Sequence, residues 1–85
     1  MKTYTRIPLE VEALFSREGR LRPIRVHFGG KAFAVEKILS VTHRCPQVVA
    51  CVAPVEYTLQ IEGVHKKIYY EGDTGTWFSV RESTG

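Results

Sequence analysis

The clearest regularity in the chain is the alternation of apolar and polar side chains, broken at intervals by glycine-containing turns. Between Leu21 and Lys37, Ile24, Val26 and Phe28 alternate with Arg25 and His27; Gly29-Gly30 interrupts; Phe33 and Val35 then alternate with Ala34 and Glu36. Alternation, two glycines and alternation again predicts a β-hairpin, and this hairpin is expected at the centre of a small all-β domain. A phosphate-cradling loop at the two glycines would need a helix to follow, and Lys31-Ala32-Phe33-Ala34-Val35 alternates like a strand instead.

The rest of the chain reads the same way. Leu9, Val11, Ala13 and Phe15 share one parity and predict a half-buried strand over Thr5–Phe15. Helix is the rival there, since Leu, Glu and Ala favour it, and Pro8, which donates no backbone hydrogen bond, belongs at a strand start or a sheet edge. Ser16–Arg20 is a turn, and the second strand runs from about Pro23 to Phe28. The third continues through Phe33, Val35 and Leu39 with a parity lapse at Lys37 and Ile38, where a bulge would bend it. Arg44–Pro54 has no legible period and is expected to cross one end of the domain as a loop, an inserted strand or a short helical turn. Val55–Glu62 alternates most cleanly; Val64–Glu71 follows after Gly63, with Lys66 on its apolar side as at a strand end or edge. Gly72-Asp73-Thr74-Gly75 is a turn, and Thr76–Glu82 is the closing strand, with Trp77 capping the core. The expected architecture is a strongly curved antiparallel sheet of about six strands in meander order, an SH3-like or OB-like open barrel. It forms a single domain over residues 1–85, ordered over about 5–82.

Length and composition narrow the function classes. A chain of 85 residues buries roughly 60–65% of the surface its unfolded form exposes, enough for one core. No apolar run approaches the ~20 residues that span a bilayer. The N-terminal stretch carries a basic residue without an apolar segment after it, so the expected compartment is the cytoplasm, with Cys45 and Cys51 as reduced thiols. The net charge is +3. Residues 1–47 hold nine Lys/Arg against four Asp/Glu, and residues 48–85 hold three against five. Basic asymmetry marks either a nucleic-acid surface or a solvated face.

The run Arg22-Pro23-Ile24, the glycine turn, Phe33-x-Val35-x-x-Ile38, a Tyr57-centred strand and the closing Trp77-Phe78 pair resemble short uncharacterised all-β bacterial proteins of Firmicutes. More distantly, they resemble an actinobacterial family of unknown function often encoded beside translesion polymerase genes. The resemblance covers about residues 5–82. An aromatic near Phe28 agrees with it, and the Cys45–Cys51 segment departs from it. It implies a small β fold and a setting near nucleic-acid metabolism, and it supplies no catalytic residues.

Candidate chemistry is sparse. His43, Cys45 and Cys51, with His65 as a fourth ligand, lack the paired close spacings of a zinc site, so no metal and no cofactor are expected. On a strand, His43 and Cys45 would stand about 7 Å apart, too far for direct activation of a thiol nucleophile. Glu10 and Glu12 share a strand face as solvated glutamates do, and no segment combines acid, base and oxyanion groups, so no enzyme is expected. A non-enzymatic binding module fits better. Arg20, Arg22, Arg25 and Lys31 would form a basic groove and Tyr69 an exposed stacking ring for single-stranded nucleic acid, with Phe28 and Trp77 in the core. The alternative is a protein partner, or a second copy, held at an exposed edge strand.

Overall fold

The computed structural model describes the backbone of residues 2–43 and 54–84 and the side chains of residues 5–43 and 55–81. Within them lie seven strands and no helix: β1 (Lys2–Phe15), β2 (Leu21–Phe28), β3 (Lys31–Ala34), β4 (Lys37–Thr42), β5 (Pro54–Ile61), β6 (Val64–Glu71) and β7 (Thr76–Thr84). They form one antiparallel sheet in the order β3-β2-β1-β7-β6-β5-β4, curled into a half-barrel. The Arg44–Pro54 crossing and both cysteines fall outside the described residues, except that Pro54 begins β5.

The order consists of two meanders, β1-β2-β3 and β4-β5-β6-β7, joined where the first strand pairs with the last. β1 is shared between them. Its residues from Lys2 to Leu9 pair with β7, and those from Glu10 to Phe15 pair with β2. Pro8 therefore sits where β1 is paired on one side only, the edge position its missing N–H requires. The chain changes partners a second time between β3 and β4. The Val35 amide donates to the Ile24 carbonyl of β2 at 3.0 Å, and the next amide, Glu36, donates to Gln60 of β5 at 2.9 Å. The two ends of the strand order are thus consecutive in the chain.

Two expectations change here. The long third strand is split by this partner switch into β3 and β4, so the described sheet has seven strands rather than six. The Leu21–Lys37 hairpin forms around Gly29 and Gly30, both at positive φ (59° and 79°), but it lies at one end of the order, with β7 in the middle. Local alternation reports that a hairpin exists; its place is set by the β1–β7 pairing, which alternation does not record. The expected bulge is found two residues on: Ile38 pairs with Leu59 and Ser40 with Thr58, leaving Leu39 as the extra residue.

The concave core gathers Val26, Tyr57, Leu59, Ile61, Ile68 and Trp77. Trp77 packs between Tyr57 and Tyr70, with ring centroids 5.3 and 4.8 Å away. The Tyr57 hydroxyl donates to the Leu21 carbonyl at 2.9 Å, tying β5 to β2 across the barrel. Burial, with the Tyr70 phenol as a smaller contributor, raises the Tyr57 pKa above its ordinary value.

Part of the opposite face of β5–β7 is buried as well. Phe78 lies there with the Tyr69 ring stacked on it at 5.4 Å, and the Arg6 guanidinium sits 4.0 Å above the Phe78 ring. Two buried carboxylates are hydrogen-bonded on this face. Glu56 accepts from Tyr69 (3.0 Å) and Thr42 (3.4 Å), and Glu71 accepts from Arg6 (3.3 Å) and Thr74 (3.2 Å). A buried carboxylate is tolerable only when hydrogen-bonded or paired, so these partners let polar positions of the β5–β7 alternation lie inside.

Leu59 is fully buried at the centre of the concave core. Leu59→Ala is expected to destabilise the fold by about 2–5 kcal/mol, measurable by urea denaturation, whereas Leu39→Ala at the exposed bulge should cost well under half as much.

Candidate functional site

The β1–β2 hairpin ends in a turn that the sequence Ser16-Arg17-Glu18-Gly19-Arg20 builds by itself. The Ser16 amide donates to the Arg20 carbonyl at 2.8 Å and the Gly19 amide to the Ser16 carbonyl at 3.0 Å. The Ser16 hydroxyl accepts from the Arg20 amide at 3.1 Å, and Gly19 takes the positive φ (77°) the turn requires. The ladder stops at Phe15↔Leu21, so the tip outruns the rest of the sheet. Leu14 and Phe15 are left 60% and 70% exposed.

Three arginines flank these apolar side chains. Arg17 and Arg20 lie in the turn, and Arg22 pairs across from Leu14. The register slips between Glu12 and Ala13, with Arg25 opposite Glu12 and Pro23 opposite Ala13. Ile24 is therefore an extra residue, and the slip puts Arg22 and Arg25 on the same, convex face. Simple alternation would have put them on opposite faces. Their circumstances differ. Arg25 donates to Glu12 Oε2 at 3.0 Å, and the same oxygen lies 2.8 Å from His27 Nε2. Arg17, Arg20 and Arg22 have no carboxylate partner among the described residues.

The expected basic groove is therefore only partly assembled. Arg20 and Arg22 meet at the tip; Arg25 is neutralised by Glu12; and Lys31 lies at the far end of β2, roughly 23 Å away along the strand. Tyr69 does not supply an exposed ring. It is 6% exposed, because the face of the sheet it occupies is buried too. Phe28, expected in the core, is 54% exposed at the end of β2. The ring beside the free arginines is Phe15, whose parity with Leu9, Val11 and Ala13 placed it inside; nothing in that pattern shows where a strand outruns its neighbours. Arg17, in the same turn as Arg20, adds a further arginine at the tip.

A second feature is an open groove of about 670 Å³ on the concave side, where β6 and β7 diverge. Leu9, Val26, Phe33 and Ile68 line its floor, and Lys66 and Lys67 its β6 wall. The chain matches no family model, no curated protein and no solved structure. No group of three metal-ligating side chains occurs among the described residues, and Cys45 and Cys51 lie outside them. Among the described residues, no helix is long and apolar enough to cross a membrane.

Glu12 is the charged hub of the hairpin. Its hydrogen bond with His27, then that with Arg25, holds its carboxyl below the ordinary carboxylate range. A carboxylate depressed in the folded state stabilises fully above its unfolded pKa of about 4.3, and that contribution is lost as pH falls through the lower folded value. Glu12→Gln should therefore lower Tm near pH 6, and the difference from the unmodified protein should close in acid below the ordinary carboxylate range. Carboxyl NMR titration of Glu12 should show a midpoint below the ordinary carboxylate range.

Proposed function

We propose that the protein is a non-enzymatic binding module that takes single-stranded nucleic acid at the β1–β2 tip. The observation that carries this reading is a set of three arginines with no carboxylate partner among the described residues, Arg17 and Arg20 in the turn that follows the exposed Phe15 and Arg22 across from Leu14 on the strand's other face. Phosphates attract unpaired guanidinium groups, and a base stacks on an aromatic face without regard to sequence. Leu14 extends the apolar surface on the strand's other face. The basic N-terminal half of the chain and the resemblance to short bacterial proteins point the same way. In this reading the curled sheet is a small barrel of SH3-like or OB-like kind working in a bacterial cytoplasm, with the ligand held on a projecting hairpin rather than across the strands.

Fluorescence anisotropy with labelled single-stranded and duplex oligonucleotides tests it. Binding to single strands should weaken with salt along a log–log slope of about −2, from three phosphate contacts at about 0.7 each. Arg20→Glu with Arg22→Glu should abolish binding, and Phe15→Ala should weaken it about tenfold or more through lost stacking. Arg25→Gln should change it little, because Glu12 already neutralises that charge. No binding at low salt, or binding unaffected by the double charge reversal, refutes the assignment.

A further inference from the structure

The sheet opens at its middle. β6 and β7 pair only through Tyr69↔Phe78, Tyr70↔Trp77 and Glu71↔Thr76. Beyond that point both strands stay extended but follow other neighbours. β6 runs back from Ile68 to Val64 against β5, and β7 runs on from Ser79 to Thr84 against β1. Alternate residues of an antiparallel strand turn their N–H and C=O groups to one neighbour and the rest to the other. Over Val64–Ile68 and Ser79–Thr84, half of the backbone groups therefore face the fork, where no strand of the described residues pairs with them. The groove of about 670 Å³ fills this fork.

From this geometry we infer a second binding site, in which an extended segment of a partner protein, alternating apolar and acidic residues, adds as a strand between β6 and β7. The alternation follows from the two sides of the fork. Residues of the incoming strand that point inward meet the apolar floor of Leu9, Val26, Phe33 and Ile68. Those that point outward meet His65 and Lys67, which pair across from Gln60 and Thr58 on the convex side. Lys66 adds a third basic group at the mouth. Among the described residues none of the three has a carboxylate partner, and the groove's one carboxylate is Glu62, at the β5–β6 turn. Unpaired positive charge on a wall beside open backbone groups selects an acidic strand over a basic or neutral one. The fork also explains Lys66, a charged residue on the apolar parity of β6: it stands where the sheet has no neighbour on that side.

The site is separate from the arginine tip, and the test keeps them apart. The probe is a short synthetic peptide alternating valine with glutamate, added to the full chain and followed by NMR amide hydrogen exchange. Binding should slow exchange at alternate amides of Val64–Ile68 and Ser79–Arg81. N-methylation of either alternate set of peptide amides should weaken binding, because one set faces β6 and the other faces β7. Lys66→Glu with Lys67→Glu, both exposed, should weaken it about tenfold or more, and a valine–lysine peptide should not bind. Arg20→Glu with Arg22→Glu should leave it unchanged. Absence of binding, protection confined to the β3 or β4 edge, or equal binding of the valine–lysine peptide overturns the inference. Concentration-dependent dimerisation that protects the same amides without peptide also overturns it, by making a second copy the occupant.

Discussion

The pairing of the first strand with the last is the constraint on which the sheet depends. Leu9 meets Trp77, and the ladder runs from there to Lys2 and Thr84. Closing a loop of that length costs about 4 kcal/mol in the length-dependent entropy term alone, so the contact survives only because eight paired positions and the packing of Trp77 form with it. Without it, β1-β2-β3 and β4-β5-β6-β7 would be two meanders with a single covalent joint at Val35–Glu36. With it, β1 must leave β7 after Leu9 and turn to β2 at Glu10, and that change of partner curls the sheet. At Trp77 and Phe78, β7 pairs with β1 on one edge and β6 on the other; beyond Phe78 only the β1 ladder continues, and there the fork opens.

Much of the local structure was legible in the chain. Period-two alternation located β2, β5, β6 and β7 to within a few residues, and Gly29-Gly30, Gly63 and Gly72–Gly75 marked the turns, because strand periodicity and positive-φ turns are local properties of the backbone. The helix alternative for Thr5–Phe15 falls to the same periodicity, since Leu9, Val11 and Ala13 are half-buried against the core. What stayed hidden was non-local. Nothing in the pattern says that residue 9 meets residue 77, so the hairpin at Gly29-Gly30 looked central when it is terminal. Tyr69 looked exposed because one buried face per strand is the default for antiparallel sheets. Here Glu56, Glu71, Tyr69 and Phe78 are buried on the second face, and a carboxylate at a polar parity gives no warning that it is hydrogen-bonded inside.

Bulges also hide the faces of side chains, and they do so by parity. One extra residue exchanges the faces of everything beyond it. At Ile24 this moves Arg22 to the convex side with Arg25. At Leu39 it returns Val41 to a position opposite Tyr57, the same face as Ile38, although the two are three residues apart. Parity alone would separate Arg22 from Arg25, which share a face, whereas grouping by charge alone joins Arg20 to Lys31, which flank opposite ends of β2.

The charges then sort themselves by whether the sheet has already used them. Arg6 is held over Phe78 and against Glu71, and Arg25 is held by Glu12. Arg25 reaches a carboxylate on the paired strand β1, Arg6 reaches across β7 to one on β6, and both serve the fold. The unpartnered groups are Arg17 and Arg20 in the turn, Arg22 at the tip and Lys66 and Lys67 at the fork; the last three stand across from Leu14, Leu59 and Thr58, which carry no charge to neutralise them. The exposed apolar side chains Phe15, Leu14 and Val64 are found at the same places. Free charge beside uncovered apolar surface is what a ligand of opposite charge can exploit, because the protein has neither desolvated those groups nor committed them to a partner. The two candidate sites thus share one geometric fact: each lies where a strand edge has lost its paired neighbour among the described residues. Shortening β1 at its tip or extending the β6–β7 ladder would each remove one site while leaving the core intact.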